Sequence, residues 1–258
     1  MKKWIFAAAV VSTLAATSVQ AKEWKVVRFG IEGAYPPFSW TEPSGELKGF
    51  DVDMANALCK ELQVKCKIVA QDWDGIIPSL LARKYDAIIA AMSITDERKK
   101  KIDFTGKYAL IPNKFVAKKG TQLEFTKAGL KGVKVGVQRA TTHDKYLTDN
   151  YGDSVSIVRY GSFDDAYLDL KAGRIVTILG DASALEEGLL NKKGGDGYEF
   201  IGPSLTDPQW FGDGFGIAVR KQDKDLTKKL DAAIKSLREK GIYQEIAARY
   251  FAYDVYGE

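Results

Sequence analysis

The segment Ala90–Arg98 (AAMSITDER) brings hydroxyl, carboxylate and guanidinium groups together directly after an apolar run. Arg98 needs an explanation, because the helix dipole favours anions rather than cations near a helix start. An arginine is well placed there if an anion docks beside it, since a guanidinium grips a carboxylate with two parallel hydrogen bonds. The Ser93 hydroxyl and free backbone amides near the helix start can add donors. The segment therefore predicts a site for a carboxylate.

A second charged group, Asp181, opens another predicted helix far along the chain, where its carboxylate could accept hydrogen bonds from an ammonium. Arg98 and Asp181 together would clamp both ends of an α-amino acid head group. Each has an ordinary alternative when it is taken alone. Arg98 could form an exposed ion pair with Glu97 or Asp103, and Asp181 could be a plain helix N-cap. Their common position after strands, close to aromatic residues, favours ligand binding.

Apolar strands alternate with amphipathic helices along the chain, which is typical of an α/β fold. The alternation occurs in two series, and this predicts two α/β lobes. The first series predicts strands at 26–31, 66–70 and 87–91, with helices over 50–62 and after a cap at Asp74. The second predicts strands at 133–137, 155–160 and 175–179, with helices over 141–150, 163–172 and 181–190. A strand at 215–220 and two helices follow.

Ligands of α/β sheets bind outside the carboxyl ends of the strands. The residues directly after the predicted strands are therefore the candidates for a binding site. They supply one cation, two carboxylates, hydroxyls and two aromatic side chains: Glu32, Tyr35, Trp73, Ser93, Arg98, residues 138–143 and Asp181.

Composition excludes one class of partner. The 258 residues are 45% hydrophobic and carry a formal net charge of +4. The only dense basic run, Arg98–Lys101, lies among acidic residues, and no basic stripe is visible. A nucleic-acid partner is therefore not expected, because such proteins usually concentrate positive charge on one face.

The first 21 residues have the pattern of a secretory signal peptide. Lys2 and Lys3 precede an apolar stretch, and Val19-Gln20-Ala21 fits a cleavage site after Ala21. No later segment approaches the roughly 18 uninterrupted apolar residues of a membrane span. We expect a soluble protein that is exported to the periplasm.

The chain has two cysteines, Cys59 and Cys66. A disulfide is the first interpretation in an oxidising compartment, and two buried thiols are the alternative. A metal site is not expected, because the single histidine, His143, is distant in sequence, and no cofactor is expected either.

Six segments occur here in the order found in one known family: GIEGAYPPF, GFDVDMANALCKEL, QDWDGIIPSL, AAMSITDER, GVQRATT and WFGDGFGIAVRK. The chain resembles the periplasmic amino-acid-binding proteins of ABC importers from Trp24 to Gly257. It looks most like the lysine/arginine/ornithine- and histidine-binding branch, with opine-binding relatives close by.

The resemblance implies the type II fold of that family, with two α/β lobes, two hinge strands and the ligand in the interlobe cleft. Lobe 1 would comprise residues 22–110 and 213–258, and lobe 2 residues 111–212 with the hinge segments. The protein would be a monomer without enzymatic activity that delivers its ligand to a membrane permease.

The resemblance also implies a role for each matching position. Arg98 would hold the α-carboxylate, with Ser93 between the head groups. The backbone amide of Thr142, next to Thr141, would meet the carboxylate, and Asp181 would bind the amine. The side-chain pocket would comprise Tyr35 and Trp73 as a sandwich, Glu32 for a basic tip, and Ala90 and Ala91. Cys59 and Cys66 match a pair that is bridged in that branch.

Four positions depart from the family pattern. Some basic amino-acid binders have Asp at Glu32, two serines at Ala90 and Ala91, and Gln at His143. The alanines and the longer carboxylate also suit opines, for which Arg139 or His143 would be the extra cation. We otherwise expect His143 to be an ordinary residue at the pocket edge or on the surface.

Several functions remain open from the sequence. The first is capture of a basic amino acid, with arginine ahead of lysine, ornithine and histidine, and an opine is the alternative ligand. A periplasmic dehydratase-like enzyme would use Glu32 as general acid or base. A sensor module would serve a separate membrane receptor.

Overall fold

A computed structural model describes residues 23–257. The predicted signal peptide, with its cleavage after Ala21, lies outside the described residues. Between residues 23 and 257, no helix combines the length and apolar character that spanning a bilayer requires.

The first of two five-stranded sheets draws on both ends of the described chain. In spatial order it contains β5 (Lys65–Ala70), β1 (Val26–Ile31), β6 (Ala87–Ile88), β13 (Phe215–Val219) and β7 (Asp103–Ala109). The first three strands are parallel, and β13 runs antiparallel to both of its neighbours. A small antiparallel sheet follows β1 and comprises β2 (Ala34–Tyr35), β3 (Ser39–Thr41) and β4 (Leu47–Lys48).

The second five-stranded sheet has the same arrangement. In spatial order it contains β10 (Ser156–Tyr160), β9 (Lys134–Gln138), β11 (Thr177–Asp181), β8 (Asn113–Lys118) and β12 (Tyr198–Leu205). Three strands are again parallel, and β8 is antiparallel to both neighbours. The predicted α/β class with two lobes is confirmed. The lobe boundaries inferred from the resemblance stay a prediction.

Helices connect the parallel strands in both units, because parallel neighbours need a crossover connection. The first unit contains α1 (Phe50–Glu61), α2 (Trp73–Leu81), α3 (Asp96–Lys99), α8 (Lys224–Glu239) and α9 (Ile242–Ala247). The second contains α4 (Thr142–Tyr151), α5 (Phe163–Lys171), α6 (Ala182–Leu185), a π-helix (Glu186–Leu190) and a 3₁₀ turn (Gly195–Gly197). A short helix, α7 (Pro208–Phe211), lies between β12 and β13. Helix α8 shows the pattern that made helices predictable, because Leu230, Ile234 and Leu237 share its buried face.

Two local predictions were wrong. Strand β6 ends at Ile88 rather than at residue 91, because Ala91 has a left-handed backbone with φ 45° that interrupts the extended chain. Helix α2 begins at Trp73 with Asp72 as its N-cap residue, so Asp74 lies in the first turn instead of capping it.

A disulfide joins Cys59, near the end of α1, to Cys66 at the start of β5. Their Cα atoms are 5.5 Å apart, within the usual range for a bridge. The pairing implied by the resemblance is confirmed.

Removal of this disulfide should lower stability without affecting the cleft. The bridge closes a loop between residues seven apart, and chain entropy gives such a loop about 2–3 kcal/mol. We expect Cys59→Ser/Cys66→Ser to melt at a lower temperature in calorimetry and to keep its ligand affinity. An unchanged melting temperature would contradict a stabilising role.

Candidate ligand-binding site

A cavity lined by residues of both units lies between the two sheets. All ten residues that the sequence analysis assigned to a binding site line it, and so do two further residues. The lining residues are Glu32, Tyr35, Trp73, Ala90, Ala91, Ser93, Arg98, Gln138, Thr141, Thr142, His143 and Asp181.

The cavity is built from the carboxyl ends of parallel strands, as expected for α/β sheets. Glu32 directly follows β1, and residues 90–93 follow β6 in the first unit. Gln138 is the last residue of β9 and Asp181 the last residue of β11 in the second unit. Each unit therefore supplies one wall.

Glu32 is a buried carboxylate held by an amide from the opposite unit. The Gln138 Nε2 atom donates to Glu32 Oε1 at 2.5 Å and also to the Gly161 carbonyl oxygen at 3.0 Å. Burial raises the pKa of Glu32 to about 7, although the bond from Gln138 opposes the rise. The second oxygen, Oε2, is left for another donor.

Asp181 is the second buried carboxylate, and it also has a partner from across the cleft. The Tyr35 hydroxyl donates to Asp181 Oδ2. The ring of Phe163 lies 5.4 Å from that of Tyr35 and occupies the space where a Cβ on Gly180 would stand, which is why glycine precedes Asp181. Burial raises the pKa of Asp181 to about 7, against the effects of Tyr35 and Arg98.

Arg98 supplies the positive charge of the cavity. The Thr95 side chain caps α3 by accepting from the Arg98 amide, and Arg98 Nη1 donates to the Ser93 carbonyl oxygen at 2.9 Å. The guanidinium carbon lies 5.3 Å from the centre of the Trp73 ring, a cation–π distance. Burial lowers the pKa of Arg98 to about 10, so the group stays charged at neutral pH. Arg98 thus lines the cavity instead of forming the exposed ion pair considered as its alternative.

His143 is buried rather than on the surface. Its Nε2 atom lies 2.6 Å from Asn113 Oδ1 and 3.7 Å from Asp181 Oδ1. Burial, together with the nearby charge of Arg98, lowers the pKa of His143 to about 3, so the ring is neutral. Since Asn113 Oδ1 can only accept, the Nε2 atom carries the proton.

Gln138 and His143 were not among the ten residues to which the sequence analysis gave a role in binding. Both lie in the segment after β9 that the strand-end rule marked, so position was a usable signal. Their residue types gave no usable signal, because the partners that define their roles, Glu32 and Asn113, are remote in sequence.

Three successive residues of the second unit contact the first unit at the cavity. Besides the Gln138 bond to Glu32, Arg139 forms an ion pair with Asp74. The Trp73 Nε1 atom donates to the carbonyl oxygen of the third, residue 140, at 3.3 Å. The cleft is therefore closed in this structure.

Two α/β units with a charged cavity between their strand ends are the arrangement of a two-lobed binding protein. Residues 27–253 match the bacterial extracellular solute-binding proteins, family 3, and the chain belongs to that family. Its fold is the type II periplasmic binding protein fold.

Curated relatives and a solved structure agree with this assignment. An L-arginine-binding protein of Pseudomonas aeruginosa is 52% identical over 90% of each chain. A lysine/arginine/ornithine-binding periplasmic protein of Escherichia coli is 40% identical over the whole of both chains. The structure of a periplasmic binding protein of Salmonella typhimurium, described as highly specific for arginine, matches with a TM-score of 0.81 and 34% identity, over 88% of this chain and all of the other.

Proposed function

We propose that this protein captures a basic L-amino acid in the periplasm, arginine ahead of lysine, ornithine and histidine, and delivers it to the permease of an ABC importer. It does so as a monomer and without chemical conversion of the ligand. The relatives named for arginine support the choice of ligand.

The observation that carries the proposal is the charge of the cavity. Ionised Glu32 and Asp181 face a single cation, Arg98, so the cavity has an excess of one negative charge. A basic amino acid has two positive groups and one negative group, and therefore balances this excess. A neutral amino acid would leave one carboxylate buried without a counter-ion, which is costly unless the carboxyl takes up a proton.

The head group of the ligand would lie between the two units. Arg98 would bind its α-carboxylate with help from Ser93 and from the backbone amide of Thr142, which is the first residue of α4 and has no partner within the helix. Asp181 would accept from the ammonium through Oδ1, since Oδ2 accepts from Tyr35.

The side chain of the ligand would extend towards Glu32. Tyr35 and Trp73 would hold it between their rings, and Glu32 Oε2 would accept from its cationic tip. Ala90 and Ala91 would form the wall of this pocket, while Thr141 caps α4 by accepting from the Asp144 amide.

The opine alternative lacks a second cation in this cavity. An opine adds a carboxylate, for which the sequence offered Arg139 or His143. Arg139 is paired with Asp74 and half-exposed, outside the residues that line the cavity. His143 is neutral. A further anion in the cavity would therefore have no counter-charge.

One observation favours the enzyme alternative, because a carboxyl with a pKa of about 7, as at Glu32, is suited to general acid–base catalysis. The relatives reported above are named as binding proteins, which supports simple capture. Incubation of candidate ligands with the protein, followed by mass spectrometry, separates the two functions, since turnover would refute capture without conversion.

Lobe closure is the first prediction of the proposed function. The chain passes between the sheets at residues 110–112 and again at 206–214, which supports hinges there and lobes of 22–110 with 213–258, and of 111–212. Because each lobe supplies part of the contacts, ligand should favour the closed form. Small-angle scattering should show a smaller radius of gyration with saturating arginine than without it. An unchanged radius would argue against closure by arginine.

The head-group clamp is the second prediction. Arg98→Ala or Asp181→Ala should weaken the binding of arginine, lysine and ornithine alike by about 2–5 kcal/mol. Each substitution leaves a desolvated charge unpaired. Calorimetric titration measures the loss. Arg174→Ala is the matched control, since it removes a guanidinium from an exposed ion pair with Asp169. Wild-type affinity in either clamp variant would show that the clamp is misassigned.

Charge selectivity is the third prediction. Glu32→Gln should weaken the binding free energy of arginine by more than about 1 kcal/mol, which is the scale of a charge-assisted hydrogen bond. Citrulline has the shape of arginine without its charge, so the same substitution should weaken its binding much less. The exposed Glu46→Gln is the control. If the wild-type protein binds citrulline as tightly as arginine, then Glu32 does not determine specificity.

The pH dependence of binding is the fourth prediction. The cavity holds Glu32 and Asp181 with pKa values of about 7. A bound cation lowers the pKa of each carboxyl, so binding releases protons at and below neutral pH. Affinity for arginine should therefore be full above about pH 8 and fall by at least about tenfold towards pH 5.5. Titration calorimetry in buffers of different ionisation enthalpy counts the protons, and Glu32→Gln should release fewer. Affinity that is independent of pH would contradict this linkage.

A further inference from the structure

A fully buried carboxylate lies directly behind the wall of the cavity. Asp51, in the first turn of α1, has no exposed surface and accepts two hydrogen bonds from neutral groups. Its Oδ2 atom accepts from the Ala91 amide at 3.0 Å, and its Oδ1 atom accepts from the Tyr108 hydroxyl at 2.9 Å. The Tyr108 oxygen also lies 3.0 Å from the Ala91 amide and accepts from it. The three groups form a closed triangle.

The backbone at Ala91 is unusual in a way that matters for the cavity. Its φ of 45° is left-handed, a conformation that any residue other than glycine adopts only at a cost in free energy. In an extended strand, successive side chains point to opposite faces. Ala90 and Ala91 are consecutive, yet both line the cavity, as does Ser93. The left-handed turn is what breaks the alternation.

We propose that Asp51 is a positioning residue for the ligand site, because it holds the left-handed turn at Ala91 that brings residues 90, 91 and 93 to one wall of the cavity. Its carboxylate and the Tyr108 hydroxyl fix the Ala91 amide at the one point where the backbone must leave the strand. Burial raises the pKa of Asp51 to about 7, so keeping this carboxyl ionised at this point costs free energy.

If Asp51 holds the turn at Ala91, then Ala91→Gly should rescue the binding that is lost when Asp51 is replaced. Asp51→Asn keeps the size of the side chain but replaces one of its two acceptor oxygens with a donor and removes the negative charge. It can no longer accept from both the Ala91 amide and the Tyr108 hydroxyl, so the triangle is broken. Arginine affinity should fall by about tenfold. Glycine adopts a positive φ readily, so Ala91→Gly needs no carboxylate to hold the turn. The arginine affinity of Asp51→Asn/Ala91→Gly should therefore lie within about threefold of that of Ala91→Gly alone. If the two substitutions acted independently, the double variant would also show the full, roughly tenfold loss of Asp51→Asn.

The matched control is Asp53→Asn. Asp53 lies in the same first turn of α1, but its carboxylate faces Arg249 and the Tyr250 hydroxyl at the surface. Loss of that charge should leave arginine affinity unchanged. If Asp51→Asn fails to fold, Tyr108→Phe takes its place, with a smaller loss that Ala91→Gly should again reverse. Wild-type affinity in the folded Asp51 variant, or a double variant as weak as Asp51→Asn, would overturn the proposal.

The binding experiment rests on the proposed function, since arginine is its probe, and amide hydrogen exchange in the ligand-free protein does not. Asp51→Asn should reduce protection of the Ala91 amide by about tenfold or more relative to amides of β1. Unchanged protection would overturn the role of Asp51. A wild-type protein that does not bind arginine would instead overturn the proposed function and leave the exchange experiment decisive for Asp51.

Discussion

Burial of two carboxylates beside one guanidinium is the constraint on which the cleft depends. Charges of one sign cannot accumulate in a low-dielectric cavity without compensation. The protein itself compensates only in part, because Gln138 donates to Glu32 and Tyr35 donates to Asp181. The raised pKa values show that protons complete it near neutral pH. The proposed cationic ligand would replace those protons, so the same atoms would keep the cavity near neutrality in both states.

The fold meets this constraint by dividing the charges between two sheets. Glu32 and Arg98 follow strands of the first sheet, whereas Asp181 ends a strand of the second. Neither sheet holds a complete site, and each sheet brings its strand ends to the common cavity. The charges meet only where the units meet, and this links recognition of a ligand to the relative position of the units.

Much of this arrangement is predictable from local patterns. The alternation of apolar strands and helices predicts the α/β class, and the predicted bounds of β1 are the observed ones. Ten of the residues that the strand-end rule marked line one cavity. Features set by remote partners were not predictable. An apolar run extends to residue 91, but Asp51, forty residues earlier, accepts from the Ala91 amide and the strand stops at Ile88. Gln138 likewise acquires its role from Glu32, 106 residues away.

The contacts that close the cleft differ in how much they contribute. The Arg139–Asp74 ion pair is about half-exposed, and such pairs contribute little. The bonds from Gln138 to Glu32 and from Tyr35 to Asp181 are buried, and an ionised acceptor makes them stronger than neutral hydrogen bonds. A ligand that lacks a cationic tip favours a protonated carboxyl, which weakens a bond that bridges the units. Under the proposed function, charge selectivity would therefore act twice, in the contacts of the ligand and in the contacts that hold the cleft closed around it.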